Sequence, residues 1–158
     1  MRLSKPRYEG RVSVEGAIRN RRTVRSFRSK PLDVVRLSQV LWAAQGVTGG
    51  LGFKRAAPSA GALYPMDVYA VTGIEGVQGL EAGNYRYAPK THSLDRVKKG
   101  DLREAVARAA LSQAWVARAP VNVVITATYE RITGKYGRRG ERYAVIEAGH
   151  IGQNVFLQ

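Results

Sequence analysis

Two segments of the chain carry residues at the spacing of an α-helix. In the first, an aspartate is followed by four apolar positions: Asp33, then Leu37, Val40, Leu41 and Ala44. Because Asp33 can cap a helix start and Gly46 can end one, we predict a helix between them. The second segment spans residues 141–158, with a shared face of Ala144, Glu147, Ala148, Ile151 and Val155. It predicts a helix that reaches Gln158 without a cap, so we expect that a C-terminal part of the natural protein is missing.

Shorter helices and several strands are predicted around these segments. Residues 13–20, 101–110 and 113–117 have helical patterns, with Ser13 and Asp101 as capping residues. Runs rich in β-branched residues predict strands at 67–72 and 121–128, and the second has the composition of a buried strand. Residues 83–87 and 93–97 suggest a hairpin with Tyr85 and Tyr87 on one face.

Length and composition fit a single domain over residues 1–158, since 44% of the residues are hydrophobic and 24% are charged. The apolar runs are far shorter than the ~20 residues that cross a bilayer. No apolar segment follows the basic N-terminus as it would in a signal peptide. We therefore expect a cytoplasmic protein without membrane contact. The sequence has no cysteine, which excludes thiolate metal sites and cysteine nucleophiles. Its two histidines are His92 and His150.

Positive charge is concentrated early in the chain. The formal charge is +14, and residues 1–60 hold 13 basic and 3 acidic residues. Such an excess fits nucleic acid, an anionic membrane surface or a phosphorylated ligand. The sequence carries no helix-turn-helix, zinc-finger or RNA-recognition signature, and it has neither a Walker A nor a Gly-x-Gly-x-x-Gly loop. A basic nucleic-acid-binding module remains the alternative from another functional class.

A basic cluster follows the first short helix, with Arg21, Arg22 and Arg25 around Thr23. Guanidinium groups can hold one phosphate through paired hydrogen bonds, and a threonine hydroxyl adds another. The same run would also serve as a solvated basic turn. The cluster alone therefore does not decide between these interpretations.

A glycine-rich stretch, residues 46–61, separates the first long helix from the first strand. Its length favours a binding loop or disorder over a simple connection. It ends in four small or rigid residues: Pro58, Ser59, Ala60 and Gly61. Small residues let a flat ring approach the backbone, and the Ser59 hydroxyl can bond to ring heteroatoms. An ordinary loop that leads into a strand is the alternative.

The order of these motifs resembles the nitroreductase family of flavoproteins, and more narrowly its SagB-type dehydrogenase branch, which includes azoline oxidases. The resemblance covers about residues 14–158 of the chain. Six stretches carry it: 21–27 (RRTVRSF), 41–46 (LWAAQG), 58–65 (PSAGALYP), 83–89 (GNYRYAP), 135–143 (KYGRRGERY) and 147–154 (EAGHIGQN).

The resemblance implies an α+β fold, with a central antiparallel-rich sheet flanked by helices, in an intertwined homodimer that binds FMN at its interface. By motif position, the residues that would hold the FMN phosphate, ribityl chain and pyrimidine edge are Arg21, Arg22, Thr23 and Arg25. Those that would reach the flavin ring, from the other subunit, are Pro58, Ser59, Ala60 and Gly61. The implied activity is electron transfer from NAD(P)H through FMN to a small-molecule acceptor. An azoline dehydrogenase that acts on a modified peptide is the alternative.

Lys135 and Tyr136 match a Lys-Tyr pair that is thought to handle a proton in azoline-oxidising relatives. They are the catalytic candidates, because a lysine whose pKa is lowered by burial can act as a base. A solvent-facing lysine beside a packed tyrosine is the alternative. Glu147 and His150, three positions apart on the last helix, are interpreted as an interface pair. A flavin supplies the redox chemistry itself, so no cysteine or metal ligand is required of the chain.

Overall fold

The computed structural model describes residues 1–28, 30–49 and 53–158. Gly50 and Gly52 of the predicted long loop lie outside the described residues. The helices are α1 (Val14–Asn20), α2 (Val34–Gln45), α3 (Arg103–Ala109), α4 (Ala114–Arg118), α5 (Glu130–Tyr136) and α6 (Arg139–Leu157). The strands are β1 (Met66–Thr72), β2 (Gly83–Ala88), β3 (Ser93–Lys99) and β4 (Val121–Ala127). A single 3-10 turn, Ala60–Ala62, precedes β1.

The four strands form one antiparallel sheet in the order β3, β2, β1, β4. In β1, Tyr69 is paired with Arg86 of β2 on one side and with Val124 of β4 on the other. β2 and β3 form the predicted hairpin, and both Tyr85 and Tyr87 are buried. The predicted combination of an antiparallel sheet with helices is thus present.

β4 contradicts the prediction of a buried strand at 121–128. Its residues are half-buried, except for Thr126, which is exposed. In the described part of the chain, β4 pairs only with β1 and therefore forms an edge of the sheet. Val123 and Ile125 pack against the core, whereas Val124 faces a groove beside α3. The valine-rich composition reflects apolar neighbours on both faces, but the edge position leaves each face partly open.

The core lies where α2 and α6 pack against each other and against β1. Its fully buried side chains include Leu37 and Leu41 of α2, Ile151 of α6, Val68 of β1 and Leu94 of β3. Burial of each such side chain contributes about 1.5–3 kcal/mol. The two helices predicted from periodicity are therefore the ones that organise the core.

The starts of α1 and α2 confirm the predicted caps. The Ser13 hydroxyl accepts a hydrogen bond from the Gly16 N–H at 3.1 Å. An Asp33 carboxylate oxygen accepts one from the Val35 N–H at 2.7 Å. Each bond satisfies a backbone donor that the first helical turn leaves unpaired.

The predicted cap of α3 is wrong by one residue. Leu102 occupies the capping position, and its side chain makes no capping bond. Asp101 instead accepts hydrogen bonds from the backbone N–H of Arg103 and from its guanidinium. The ion pair with Arg103 places Asp101 just before the helix, where it still satisfies an N-terminal donor.

α5 was not apparent from the sequence. Ile132 is its only buried residue, and Thr133 and Gly134 are weak helix formers, so neither periodicity nor propensity reveals it. Its position depends on α6, because a β-carbon at Gly140 would lie 3.0 Å from the Ile132 backbone. This close approach sets α5, and with it Lys135, against the start of α6.

α6 begins two residues before the predicted segment and ends at Leu157. Ala144, Glu147 and Ile151 are buried on its inner face. Among the described helices, none has both the length and the apolar character needed to cross a membrane.

Candidate functional site

The small-residue loop 58–61 and the end of α5 meet at Gly61. A β-carbon built on Gly61 would lie 2.7 Å from the Tyr136 hydroxyl and 3.1 Å from Nζ of Lys135. Because glycine has no side chain, its backbone can approach both groups. The loop predicted to face a ring and the predicted catalytic pair therefore share one surface.

Left-handed backbone gives this loop its shape. Gly61 has a φ of 62°, and Ala62 and Tyr64 have φ values of 53° and 48°. For residues other than glycine this conformation costs on the order of 1–3 kcal/mol, so neighbouring contacts must hold it. One such contact is the Ser59 hydroxyl oxygen, which accepts a hydrogen bond from the Tyr64 N–H at 2.9 Å. Another is the Tyr64 hydroxyl, which donates to the Phe53 carbonyl at 2.6 Å.

Asn154 of α6 holds the chain that leads into the loop. Its amide donates to the carbonyls of Ala43, at 3.0 Å, and Ala56, at 3.1 Å. The N–H of Ala56 also donates to the Gly46 carbonyl at 2.8 Å. The end of α2 and the entry to the loop are therefore tied together through α6.

Glu147 lies under the loop and is only 1% exposed. Gln45 donates to one carboxylate oxygen of Glu147 at 3.0 Å and accepts from Arg55 at 3.3 Å. The other oxygen has no hydrogen-bond partner among the described residues. Burial raises the pKa of Glu147, and the nearby Ser59 hydroxyl and the Gln45 amide moderate the rise. His150 is exposed, and no hydrogen bond or ion pair joins it to Glu147 among the described residues.

The raised pKa of Glu147 predicts a pH effect on stability. The folded protein holds the Glu147 proton to a higher pH than the unfolded chain does. Once the pH exceeds the pKa of an unfolded glutamate, ionisation favours the unfolded chain, so the contribution of Glu147 to stability falls as pH rises. Glu147→Gln keeps the acceptor for Gln45 and cannot ionise. We expect the free energy of unfolding of this variant, relative to the unaltered protein, to increase from pH 4 to pH 8 in urea titrations. Glu141→Gln, an exposed change on the same helix, should show no such trend. The prediction would be contradicted if the unfolding free energies of Glu147→Gln and the unaltered protein changed in parallel with pH.

The arginine segment lies on the surface. The Arg21 guanidinium is 5.8 Å from the ring centre of Phe156, and that of Arg25 is 5.6 Å from the ring centre of Trp115. Arg22 folds back onto carbonyls of its own segment. All three arginines are exposed, so their donors are accessible to an anion.

The two predicted halves of the cofactor site are not joined within one chain. Thr23, like the arginines, is exposed. In the ranges that the structure describes, the hydrogen bonds and ring contacts of the segment go to α1, α4 and α6 and none reaches residues 58–61. The structure thus brings the loop to the Lys-Tyr pair and leaves the arginine segment apart from both.

Lys135 and Tyr136 differ in their surroundings. Lys135 is exposed, with Nζ 5.4 Å from the centre of the Tyr136 ring. Tyr136 is half-buried and packs edge-on against Tyr143 at 5.2 Å. In a single chain, this matches the alternative of a solvent-facing lysine beside a packed tyrosine. A role as base therefore requires a ligand or a second subunit to cover Lys135.

A hydrogen-bonded cluster around His92 has a structural role rather than a catalytic one. Nε2 of His92 lies 2.8 Å from the Ser4 carbonyl, which can only accept, so this nitrogen carries the proton. Ser38 is buried and donates its own proton to the same carbonyl. Nδ1 of His92 is therefore the acceptor for the Tyr87 hydroxyl at 2.7 Å. With these bonds His92 cannot take a proton from Ser38, and the cluster fixes the N-terminal segment to the hairpin.

Comparison with known proteins gives several matches. The model described as "Nitroreductase family" matches residues 18–158. The nitroreductase homologue MJ1384 of Methanocaldococcus jannaschii is 44% identical over 146 residues, which cover 92% of this chain and 72% of that protein. The trifolitoxin-processing protein TfxB of Rhizobium leguminosarum bv. trifolii is 30% identical over 112 residues, or 68% of this chain and 30% of TfxB. The microcin B17-processing protein McbC of Escherichia coli is 29% identical over 107 residues, or 66% of this chain and 39% of McbC.

Solved structures share the fold. The crystal structure of a nitroreductase homologue from Ralstonia eutropha has a TM-score of 0.81 and 30% identity, over 98% of this chain and 68% of that one. The E. coli microcin synthetase McbBCD complex with truncated pro-MccB17 bound contains a chain with a TM-score of 0.69 and 22% identity. That match covers 98% of this chain and 61% of the other. The α+β fold class predicted from the sequence is confirmed.

Proposed function

Since the chain belongs to the nitroreductase family of oxidoreductases, we propose that it uses FMN to pass electrons from NAD(P)H to a small acceptor. The observation that carries the proposal is the contact between Gly61 and the Lys135–Tyr136 pair. It places the exposed backbone of Gly61 and Ala62 beside two groups that can donate or hold a proton.

The residues present fit a flavin. Gly61 and Ala62 are exposed and carry little or no side chain, so a flat ring can lie against their backbone. On the side where a β-carbon would stand, the Tyr136 hydroxyl already lies against Gly61, so a ring would contact the backbone that remains exposed. The exposed guanidinium groups of Arg21 and Arg25 suit a phosphate. Bound FMN would supply the hydride-transfer chemistry, for which proteins provide binding, orientation and electrostatics.

We assign two groups of residues to different parts of the flavin. Arg21, Arg22, Thr23 and Arg25 would hold the phosphate, the ribityl chain and the pyrimidine edge. Pro58, Ser59, Ala60 and Gly61 would support the ring. An arginine at the pyrimidine edge stabilises negative charge there, because its charge is fixed at all working pH values.

A homodimer would join the two halves of the site. The arginine segment and the loop do not meet in one chain, so a partner's loop would complete the site beside the arginines. α1 and α6 contact each other and expose large apolar side chains: Val14, Ile18, Val145, Ile146 and Phe156. A two-fold interface on these helices would cover that surface.

The dimer is testable by light scattering. We expect a mass of twice the 17.3 kDa chain. Val145→Glu, on the exposed face of α6, should shift the protein towards monomer, because the interface would bury the new charge. Ile74→Glu, an equally exposed change on the turn after β1, should not. A monomeric mass for a flavin-loaded sample would contradict the proposed dimer.

A second candidate is an azoline dehydrogenase acting on a modified peptide. It is favoured by the similarity to TfxB and McbC, which are named for processing trifolitoxin and microcin B17. Oxidation of an azoline removes a hydride from one ring carbon and a proton from its neighbour. Lys135 and Tyr136 are the groups we assign to that proton.

The test of the proposed function is the visible spectrum of the purified protein. We expect non-covalent flavin absorbance, bleached by NAD(P)H and restored by an added quinone or nitro compound. A colourless protein that FMN does not reconstitute would overturn the proposal. Tight DNA binding that weakens steeply with salt would then favour the nucleic-acid alternative.

A further inference from the structure

A cleft of about 720 Å³ lies beside residues 62–64, between the start of β1, the β2–β3 turn and α5. This volume suits a small organic ligand. Apolar walls come from Phe53, Leu63, Met66, Val68 and Pro89. The charged lining residues are Arg55, Arg86, Lys90, Arg131, Asp67 and Asp95, so cations outnumber carboxylates by two. The cleft therefore combines an apolar surface with an excess of positive charge.

Asp67 is already neutralised within the cleft. One carboxylate oxygen accepts from Arg86 at 3.0 Å, and the other pairs with Arg131 at 3.0 Å. Burial raises the pKa of Asp67, but the hydrogen bonds from Arg131 and Arg86 outweigh it and hold the pKa below its usual range. Asp67 thus stays ionised and occupied by its two arginines, so it is not available to Arg55.

Among the described residues, Arg55 and Lys90 are the lining cations without an ion pair, and Arg55 is the one that is half-buried. No carboxylate lies within 4 Å of Arg55 among the described residues. Its one side-chain hydrogen bond is to the Gln45 carbonyl oxygen at 3.3 Å. A guanidinium has five N–H donors, so most are left for a ligand. Burial lowers the pKa of Arg55, and the nearby Tyr64, Glu147 and Asp67 oppose part of this lowering.

Tyr64 orients this guanidinium. The Arg55 guanidinium carbon lies 4.1 Å from the centre of the Tyr64 ring, which covers one of its faces. The donors in the guanidinium plane stay accessible at the wall of the cleft. A planar carboxylate matches two such donors side by side.

We propose that this cleft binds a ligand that joins a carboxylate to an apolar body, with Arg55 as the anchor. The carboxylate would take the in-plane donors of Arg55, and the body would lie against Leu63, Met66 and Val68. A phosphate dianion fits less well, since Arg86 and Arg131 are already engaged by Asp67. The inference concerns a site beside the flavin-facing loop and does not depend on flavin binding.

The experiment is an NMR titration of the purified protein with benzoate. We expect saturable shifts of the backbone amides of residues 53–55, 62–68 and 88–91 and of the Arg55 side chain. Benzamide, which has the same shape without charge, should bind at least about tenfold more weakly. Inorganic phosphate should also bind more weakly than benzoate.

Variants test the anchor itself. Arg55→Gln should weaken benzoate binding by about ten- to a hundredfold, because it removes a charge-assisted pair of bonds. Arg55→Lys keeps the charge and loses the planar fork, so it should still weaken binding by about fivefold or more. Lys54→Ala removes a neighbouring exposed cation that does not line the cleft and should leave the affinity unchanged.

Three results would overturn the proposal. The first is the absence of localised shifts with benzoate on the unaltered protein, a measurement that needs no variant to fold. The second is equal binding of benzamide or tighter binding of phosphate. The third is an affinity for benzoate that falls by the same factor in Arg55→Gln and in Lys54→Ala, two variants that each lose one positive charge, because this would show that net charge rather than Arg55 attracts the anion.

Discussion

If the chain has the azoline dehydrogenase activity proposed as its second candidate function, Lys135→Ala is expected to slow the oxidation of a thiazoline peptide by ~10²–10⁴-fold without loss of bound flavin. In that reaction a proton must leave the carbon next to the one that loses hydride, and Lys135 is the group assigned to it. Nζ of Lys135 would lie 3.1 Å from a β-carbon at Gly61, so it is at the surface where the ring is proposed to rest. The measurement is the single-turnover rate with FMN content determined on the same sample.

Simple acceptor reduction should respond differently. When NAD(P)H reduces a quinone or nitro compound, the chain itself moves no proton from carbon, so we expect Lys135→Ala to stay within about tenfold of the unaltered rate. Tyr136→Phe should behave likewise, since it removes the hydroxyl and keeps the ring packed against Tyr143. An equal collapse of both activities with FMN retained would show that the pair serves the general reaction.

Arg138→Ala is the matched control for this series. Arg138 is an exposed cation near Lys135 at the start of α6, so its loss changes the local charge by the same amount. If Arg138→Ala slows azoline oxidation as much as Lys135→Ala, the effect comes from charge around the site and the assignment of Lys135 as base is wrong.

Arg21→Ala is expected to weaken FMN binding by about ten- to a hundredfold, the effect of one charge-assisted pair of hydrogen bonds to phosphate. Arg21 ends α1 and is exposed, with its guanidinium near Phe156 and in no ion pair with a residue that the structure describes. It can therefore bind an anion without first losing a protein partner. Equilibrium dialysis or flavin fluorescence would measure the change.

Arg108→Ala, an exposed arginine at the end of α3, is the control for Arg21. It removes one positive charge without touching the predicted cluster. Riboflavin, which lacks the phosphate, gives a second comparison, because its binding should be insensitive to Arg21→Ala. Equal weakening of riboflavin and FMN would place Arg21 away from the phosphate.

Elements with local signals could be predicted from the sequence. Asp33 and Ser13 mark the starts of α2 and α1 because a capping bond spans only two or three residues. The inner face of α6 follows from spacing alone. α5 could not be found in this way, since Gly140 of α6 and the neighbouring fold, rather than its own residues, place it. The partial exposure of β4 depends on its position in the sheet, which local composition does not contain.

In the candidate site, too, some features could be predicted from the sequence and others depend on the fold. The loop was predicted from its small residues and the Lys-Tyr pair from resemblance, and their close approach at Gly61 joins segments that no spacing rule connects. Glu147 lies on the predicted inner face, so its burial could be foreseen from periodicity, but its partner Gln45 on α2 could not. The cleft around Arg55 gave no sequence signal, because its charges come from five separate parts of the chain.

The left-handed residues of the loop bear on whether this motif can be transplanted. Ala62 and Tyr64 hold conformations that their own chemistry disfavours, and the bonds that hold the loop and the chain leading into it come from Ser59, Phe53 and α6. A peptide of residues 58–65, or the same eight residues grafted between other elements, would relax to a more ordinary turn. Sequence searches for this octapeptide alone would therefore recover many chains that cannot present the same backbone. A useful transplant must carry α6 and residues 53–57 along with the motif.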